Sequence, residues 1–376
     1  MWRVVLDREN QPIPCAKPYE IGLDRRDRGA HNSPQDCLHQ RRGNTDLSRN
    51  FRVVVTLIGK VRRTIFGISL QEASVTRRGF ETRDSRATER IERVGTEFLN
   101  GYHLAMEEPS ALPLASRLNA AVSSEYRGFA FEGAAMALFL LDHLGLSRRT
   151  FSSFLTGPGE THSYMLHVGA GWAIARLPWL RMRGPAVLAS LDPVLRWLAA
   201  DGWGFHEGYF HWPAAIRKHA VPRSLNGYAL RAFDQGLGRS LWFVEGIDPE
   251  RVASTISRFP AHRHQDLWAG VGLACAYAGG AEPAALARVA ELAGEHASAT
   301  AQGAAFAAEA RNRAGNPAAH CDLACRTLCG ISAEDAASVA RQARIDLPPD
   351  GTTPSYEVWR TRLQQHFLRA AHGVHQ

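Results

Sequence analysis

The sequence predicts an all-α protein of stacked helical hairpins about 34 residues long, a tetratricopeptide-like α-solenoid. Three observations predict it. The turns around Pro249, Pro283 and Pro317 recur every 34 residues. Glycines recur in register on the helices before them, at Gly236, Gly270 and Gly303. No alternating run of useful length marks a β-strand anywhere in the 376 residues.

The first fifty residues lack apolar periodicity and carry charge clusters such as Asp24-Arg25-Arg26-Asp27-Arg28. Such a segment buries too little to offset its ordering entropy. Residues 1–60 are therefore expected to be a disordered or loosely attached extension, and 61–376 a single α-helical repeat domain. A translation start near Val53–Val55 is one reading of this segment, which the mass of the native N-terminus tests.

The chain organises after Ile65. Arg86 to Met106 reads as an amphipathic helix with Ile91, Val94, Phe98, Leu99 and Tyr102 on one side. Leu112 to Val122 is a shorter second helix. Three copies of the hairpin are expected upstream of Phe233. They open at Phe131-Glu132-Gly133, at His167-Val168-Gly169 and at His206-Glu207-Gly208, with partner helices at 148–155, 185–198 and 213–219.

In the regular part, each turn has a glycine suited to a left-handed helix exit. Each then has proline at a first helical position, where its missing N–H costs nothing. Asp248 and Asn316 are the expected N-caps. Glycine inside a helix costs about 1 kcal/mol relative to alanine. Repeating that cost in register implies close approach between neighbouring helices. Ser332-Ala333-Glu334-Asp335 reads as a capping box, and a last amphipathic helix spans residues 355–371.

Charge and cysteine usage narrow the partners. Up to residue 99 there are 19 Lys+Arg against 13 Asp+Glu, a balance of +6; the remainder holds 25 against 24, a balance of +1. A nucleic-acid binder concentrates positive charge on its folded body, so no nucleic-acid partner is expected. No apolar run is long enough to span a membrane. The six cysteines form no secreted disulfide framework. Reduced thiols and a cytoplasmic location are expected. Cys321, Cys325 and Cys329 read as small packing residues, since one helix rarely supplies a closed metal site.

The densest chemistry lies in Asp201-Gly202-Trp203-Gly204-Phe205-His206-Glu207-Gly208-Tyr209-Phe210-His211-Trp212. On a helix, Glu207 and His211 share a face at i,i+4. That pair suits general acid–base work, or a metal, though the spacing is not the His-Glu-x-x-His of zinc proteases. We take His206, Glu207 and His211 as candidate catalytic residues, with no metal or other cofactor expected. The alternative is an aromatic inter-helix segment with its polar tips in solvent. Glu132, His167, Trp172, Trp203, Tyr209, Trp212, Asp234, Trp242 and Glu245 are candidate substrate-binding residues of a groove between repeats. The competing reading is that they cap or link adjacent helices. Within Phe233 to Gly246, Arg239 is a candidate buried ion-pair partner of Asp234 or Glu245.

Four stretches resemble a known group: Arg127 to Ala134, His167 to Ala173, Gly204 to Trp212 and Phe233 to Gly246. They are similar to the enediyne biosynthesis protein family of unknown function, encoded beside iterative enediyne polyketide synthases. The resemblance runs from about Ile65 to Leu368. It implies a role in making or maturing an enediyne core and supplies no catalytic residues. Two function classes follow. One is an accessory enzyme that binds a hydrophobic polyketide intermediate. The other is a non-catalytic helical scaffold for a synthase, a carrier protein or a labile intermediate. A self-resistance protein that sequesters the product is a third reading.

Overall fold

The computed structural model describes residues 57–373, with side chains to residue 370. Cys15, Cys37 and most of the expected extension lie outside the described residues. The described residues form helices and no strand. A helix over 57–66 runs across the expected boundary at residue 61.

Nine long helices order the chain: α1 (Ser85–Glu107), α2 (Ser124–His143), α3 (Ser163–Arg176), α4 (Arg196–Phe210), α5 (Tyr228–Val244), α6 (Ala261–Tyr277), α7 (Ala297–Arg313), α8 (Ala333–Arg344) and α9 (Ser355–Gly373). From α1 to α8 each packs most extensively on its neighbours in chain order. Shorter helices connect them, among them Pro249–Ile256 between α5 and α6 and Pro283–Ala293 between α6 and α7.

Glycine makes this row possible. An added Cβ on Gly236 would lie 1.7 Å from the Asp201 carbonyl oxygen; on Gly270, 2.0 Å from that of Gln235; on Gly303, 1.9 Å from that of Ala269. The same relation links Gly133 to Phe98, Gly169 to Glu132 and Gly202 to Val168. Each glycine thus meets the residue one or more turns back in the row, on the preceding long helix. A second glycine two positions later touches the following helix: Gly171 meets Ala199, Gly204 meets Phe233, Gly238 meets Leu267 and Gly272 meets Thr300. The glycine Hα in the Cβ position points at a carbonyl oxygen, the geometry of a weak Cα–H···O contact.

The turns divide into two that match expectation and one that does not. Gly246 and Gly279 exit in the left-handed region, with φ of 68° and 70°. Pro249 and Pro283 open their helices, and Asp248 accepts from the backbone N–H groups of Glu250 and Arg251. Asn316 is not an N-cap: the next helix starts at Ala319 with Ala318 at the cap. Arg311 takes the Asn316 carbonyl at 3.1 Å, which holds that residue inside the structure instead.

Upstream, the expected partner helix 185–198 is split. Gly184–Ala189 ends early, and Arg196 already opens α4. His206-Glu207-Gly208 therefore closes α4 and does not open a hairpin. The glycine in register is Gly202, 33 residues after Gly169 and 34 before Gly236. The capping box is present, with Ser332 accepting from the Asp335 N–H.

The row curls until its early and late helices touch. Arg90 of α1 donates to the Ala278 carbonyl, and Arg311 of α7 to that of Glu125. The Phe129 and Tyr277 rings meet edge to face at 5.1 Å. Helix α9 lies across α5, α6 and α7: Arg360 pairs with Asp266, and Gln235 donates to the Tyr356 hydroxyl. The central face is thereby filled with side chains. The cavities left among them are small, about 40 Å³ and 30 Å³.

Gly236→Ala and Gly270→Ala test the packing. Helix propensity alone favours alanine by about 1 kcal/mol, whereas overpacking costs about 1–3 kcal/mol or more. Urea unfolding is expected to show each variant destabilised by about 2 kcal/mol or more. Gly351→Ala, whose Cβ would meet nothing within 4 Å, is expected to change stability by less than about 0.5 kcal/mol.

Candidate functional site

Helix α4 brings most of the candidate residues together at its C-terminal end. Its last turns carry His206, Glu207, Tyr209 and Phe210, and His211 is the residue that caps it. The i,i+4 relation holds: His211 Nδ1 lies 3.1 Å from Glu207 Oε2. His206 Nδ1 lies 3.4 Å from the other oxygen, Oε1, and Arg181 Nη1 is also 3.4 Å from it. One carboxylate is thus flanked by two imidazoles and a guanidinium.

Burial grades across the cluster. His206 is buried, Glu207 is nearly so, and the His211 side chain is half exposed. The His206 ring meets the Trp172 ring edge on at 5.6 Å and the Phe210 ring at 5.0 Å. His211, Glu207 and Arg181 open onto a pocket of about 320 Å³, completed by Ala214, Ala215, Ala220, Val221 and Pro222. Part of that wall is the five-residue π-helix Pro213–Arg217, a rare element that is frequent at functional sites.

Charge states follow from the surroundings. Burial alone would raise the Glu207 pKa, but hydrogen bonding from His206 and His211 and the charge of Arg181 outweigh it and hold the carboxyl far below its usual range. Burial lowers the His206 pKa, against the pull of Glu207, so this imidazole is neutral. A carboxylate only accepts hydrogen bonds. His211 therefore carries its proton on Nδ1 when neutral, and its Nε2 lone pair is free.

Ligand atoms of His206, Glu207 and His211 lie within 4.8 Å of one another, a spacing at which a divalent cation can be held. Arg181 already places positive charge on the same carboxylate oxygen. That cation opposes a second one, so the donor set suits proton transfer better than a metal.

A second group of candidates lines the cavity of about 40 Å³ behind this cluster: Glu132, Trp172 and Tyr209, with Phe98, Phe205 and Phe243. Trp172 Nε1 donates to Glu132 Oε1 at 2.9 Å. Burial pushes the Glu132 pKa up to about 7, against the lowering effect of Arg239. Trp212 and Glu245 instead line an open cleft of about 780 Å³ on the other side of the π-helix.

The remaining candidates sit apart. Trp203 and Trp242 are fully buried, and Trp242 Nε1 donates to the Gly279 carbonyl. His167 is buried and bonds the Ser163 carbonyl through Nδ1 at 2.7 Å. The ion pairs also differ from those expected. Asp234 pairs with Arg263, Arg239 with Asp201, and Glu245 with Arg251. Asp234 and Arg239 lie on one helix five residues apart, too far round it to face each other.

Arg181 is the functional group that sequence reasoning missed. It lies in the five-residue helix Pro178–Met182, 26 positions from Glu207, and no spacing rule links the two.

A family model described as "Protein of unknown function (DUF1702)" matches residues 57–367. No curated protein and no solved structure matches the chain.

The Glu132 environment has a measurable consequence. Its folded pKa of about 7 lies above its unfolded value near 4.5. The folded state therefore holds the extra proton between those values, and stability is lost as pH rises from 4.5 to 7, by up to about 1.4 kcal/mol per pH unit. Glu132→Gln keeps the acceptor for Trp172 and removes the titration. Its melting temperature relative to the wild type is expected to rise steadily from pH 4.5 to 7 and then level off. A constant difference across that range would contradict the assignment.

Proposed function

Since the chain belongs to the DUF1702 family, which the match over residues 57–367 shows, we propose from the site itself that it is an accessory enzyme of enediyne polyketide biosynthesis acting by acid–base catalysis on a hydrophobic intermediate. The observation that carries this reading is the Glu207 carboxylate flanked by the His206 and His211 imidazoles and Arg181 at the edge of a pocket. In the same reading the helices are tetratricopeptide-like hairpins of a cytoplasmic protein. The equal spacing of Gly202, Gly236, Gly270 and Gly303 supports the first part of that statement. Among the described residues no helix is long and apolar enough to cross a membrane.

The proposed chemistry is removal of a proton from carbon beside a carbonyl or thioester group. His211 Nε2 accepts the proton. Glu207 fixes the ring with Nδ1–H toward itself and stabilises the imidazolium that forms. Arg181 lies beside the same pocket and offers charge to the developing enolate oxygen. His206, neutral and packed among aromatic rings, positions Glu207 from behind. Return of the proton from His211 to another carbon of the conjugated system completes an isomerisation with no net gain or loss of electrons.

A scaffold role is the second reading. The filled central face favours it, because a cavity of about 40 Å³ leaves no groove for a long polyene inside the row. In the enzyme reading the substrate therefore enters from the surface, at the pocket of about 320 Å³.

Metabolite profiling of a deletion strain separates the two. The enzyme reading expects one intermediate to accumulate. His211→Ala and Glu207→Gln are expected to lower turnover of that intermediate by about 10²–10⁴-fold, the usual contribution of a positioned base. Full production by folded variants would refute the acid–base assignment.

A further inference from the structure

The mouth of the pocket lies in a patch of unbalanced charge. Two segments border it, residues 161–191 and residues 208–233, and neither contains a single Asp or Glu. They meet in space. Ser224 Oγ donates to the Arg181 carbonyl at 2.5 Å, and a Cβ on Gly184 would lie 3.6 Å from Ser224 Oγ. Arg181 and the 220–222 loop line the same pocket.

Four cations stand exposed on these segments: Arg176, Arg183, Lys218 and Arg223. Among the described residues, none of them makes a salt bridge, while Arg181 pairs with Glu207 inside the pocket. Large apolar side chains stand exposed beside them, with Met182 at 74%, Trp179 at 42% and Val221 at 42%. A merely solvated surface would mix both signs of charge. Unpaired cations around apolar side chains fit a protein partner whose acidic face meets the former and whose apolar contacts meet the latter.

We propose that this patch docks an acidic carrier domain, which presents its thioester-tethered substrate to the pocket at the patch centre. The proposal rests on the acid–base reading of that pocket for what happens next, and on charge complementarity for the partner. A tethered substrate also suits the geometry of the interior. Only the reacting end has to enter about 320 Å³, while the rest of the acyl chain stays with its carrier.

The test uses the full chain and an acidic acyl-carrier domain of a polyketide synthase in its phosphopantetheinylated form, with affinity read by calorimetry. The wild type is expected to bind, with an affinity that falls steeply with added salt. The triple variant Arg183→Glu, Lys218→Glu, Arg223→Glu is expected to bind at least tenfold more weakly at unchanged melting temperature. The corresponding triple Gln variant, less demanding on folding, is expected to fall between the two. Glu207→Gln is expected to dock like the wild type, so loss of chemistry and loss of docking read out separately. Equal affinity of the wild type and the charge-reversed variant would overturn the proposal. So would absence of carrier binding, or binding by the patch to phosphatidylglycerol vesicles in place of the carrier.

Discussion

The close approach of glycine to a neighbouring backbone carbonyl is the constraint on which this structure depends. Six long helices in succession, α2 to α7, each place a glycine where any side chain would strike the preceding helix. Four of them, α3 to α6, add a second glycine against the following helix. Packing from small residues fixes both the separation and the register of neighbours. Once the register is fixed, the side chains one turn away have no freedom over which partners they meet. Asp201, next to Gly202, faces Arg239 and Gln235 of α5 for this reason.

Tight spacing also explains where the chemistry sits. Helices this close leave little room along their length. The interior is occupied by aromatic rings and by ion pairs that α9 completes, such as Arg360 with Asp266. A pocket forms only where packing ends. At the C-terminal end of α4 the helix stops, the chain turns through a π-helix, and Glu207 and His211 emerge beside Arg181. Burial of His206 and exposure of His211 are two consequences of one helix end. The former keeps its ring neutral, and the latter gives its partner ring access to a ligand.

Much of this was legible in the sequence. Gly-x-Gly at 236–238 and 270–272 and the prolines at 249 and 283 carry their meaning locally, because left-handed exits and N1 prolines are properties of single residues. The Glu207–His211 pair was legible for the same reason, as an i,i+4 relation on one helix. What depends on packing was not. Gly202-Trp203-Gly204 is the copy in register, yet the glycine at 208, nearer the His and Glu residues, drew the frame away from it. Asn316 has the right type for an N-cap, but Arg311, fixed by tertiary contacts, claims its carbonyl. The partners of Asp234 and Arg239 lie on neighbouring helices, and Arg181 reaches Glu207 across a fold-dependent gap. Such pairings are set by the stacking and have no sequence spacing of their own.

The hydrogen bond from His211 to Glu207 is the link between this packing and any reaction at the pocket, and its direction can be observed. Long-range ¹H–¹⁵N correlation on protein labelled at histidine, recorded above the pH at which His211 is charged, reports which ring nitrogen bears the proton. The account predicts Nδ1–H for His211, and loss of that preference in Glu207→Gln. An Nε2–H tautomer in the wild type, or a spectrum unaltered by the substitution, would contradict it.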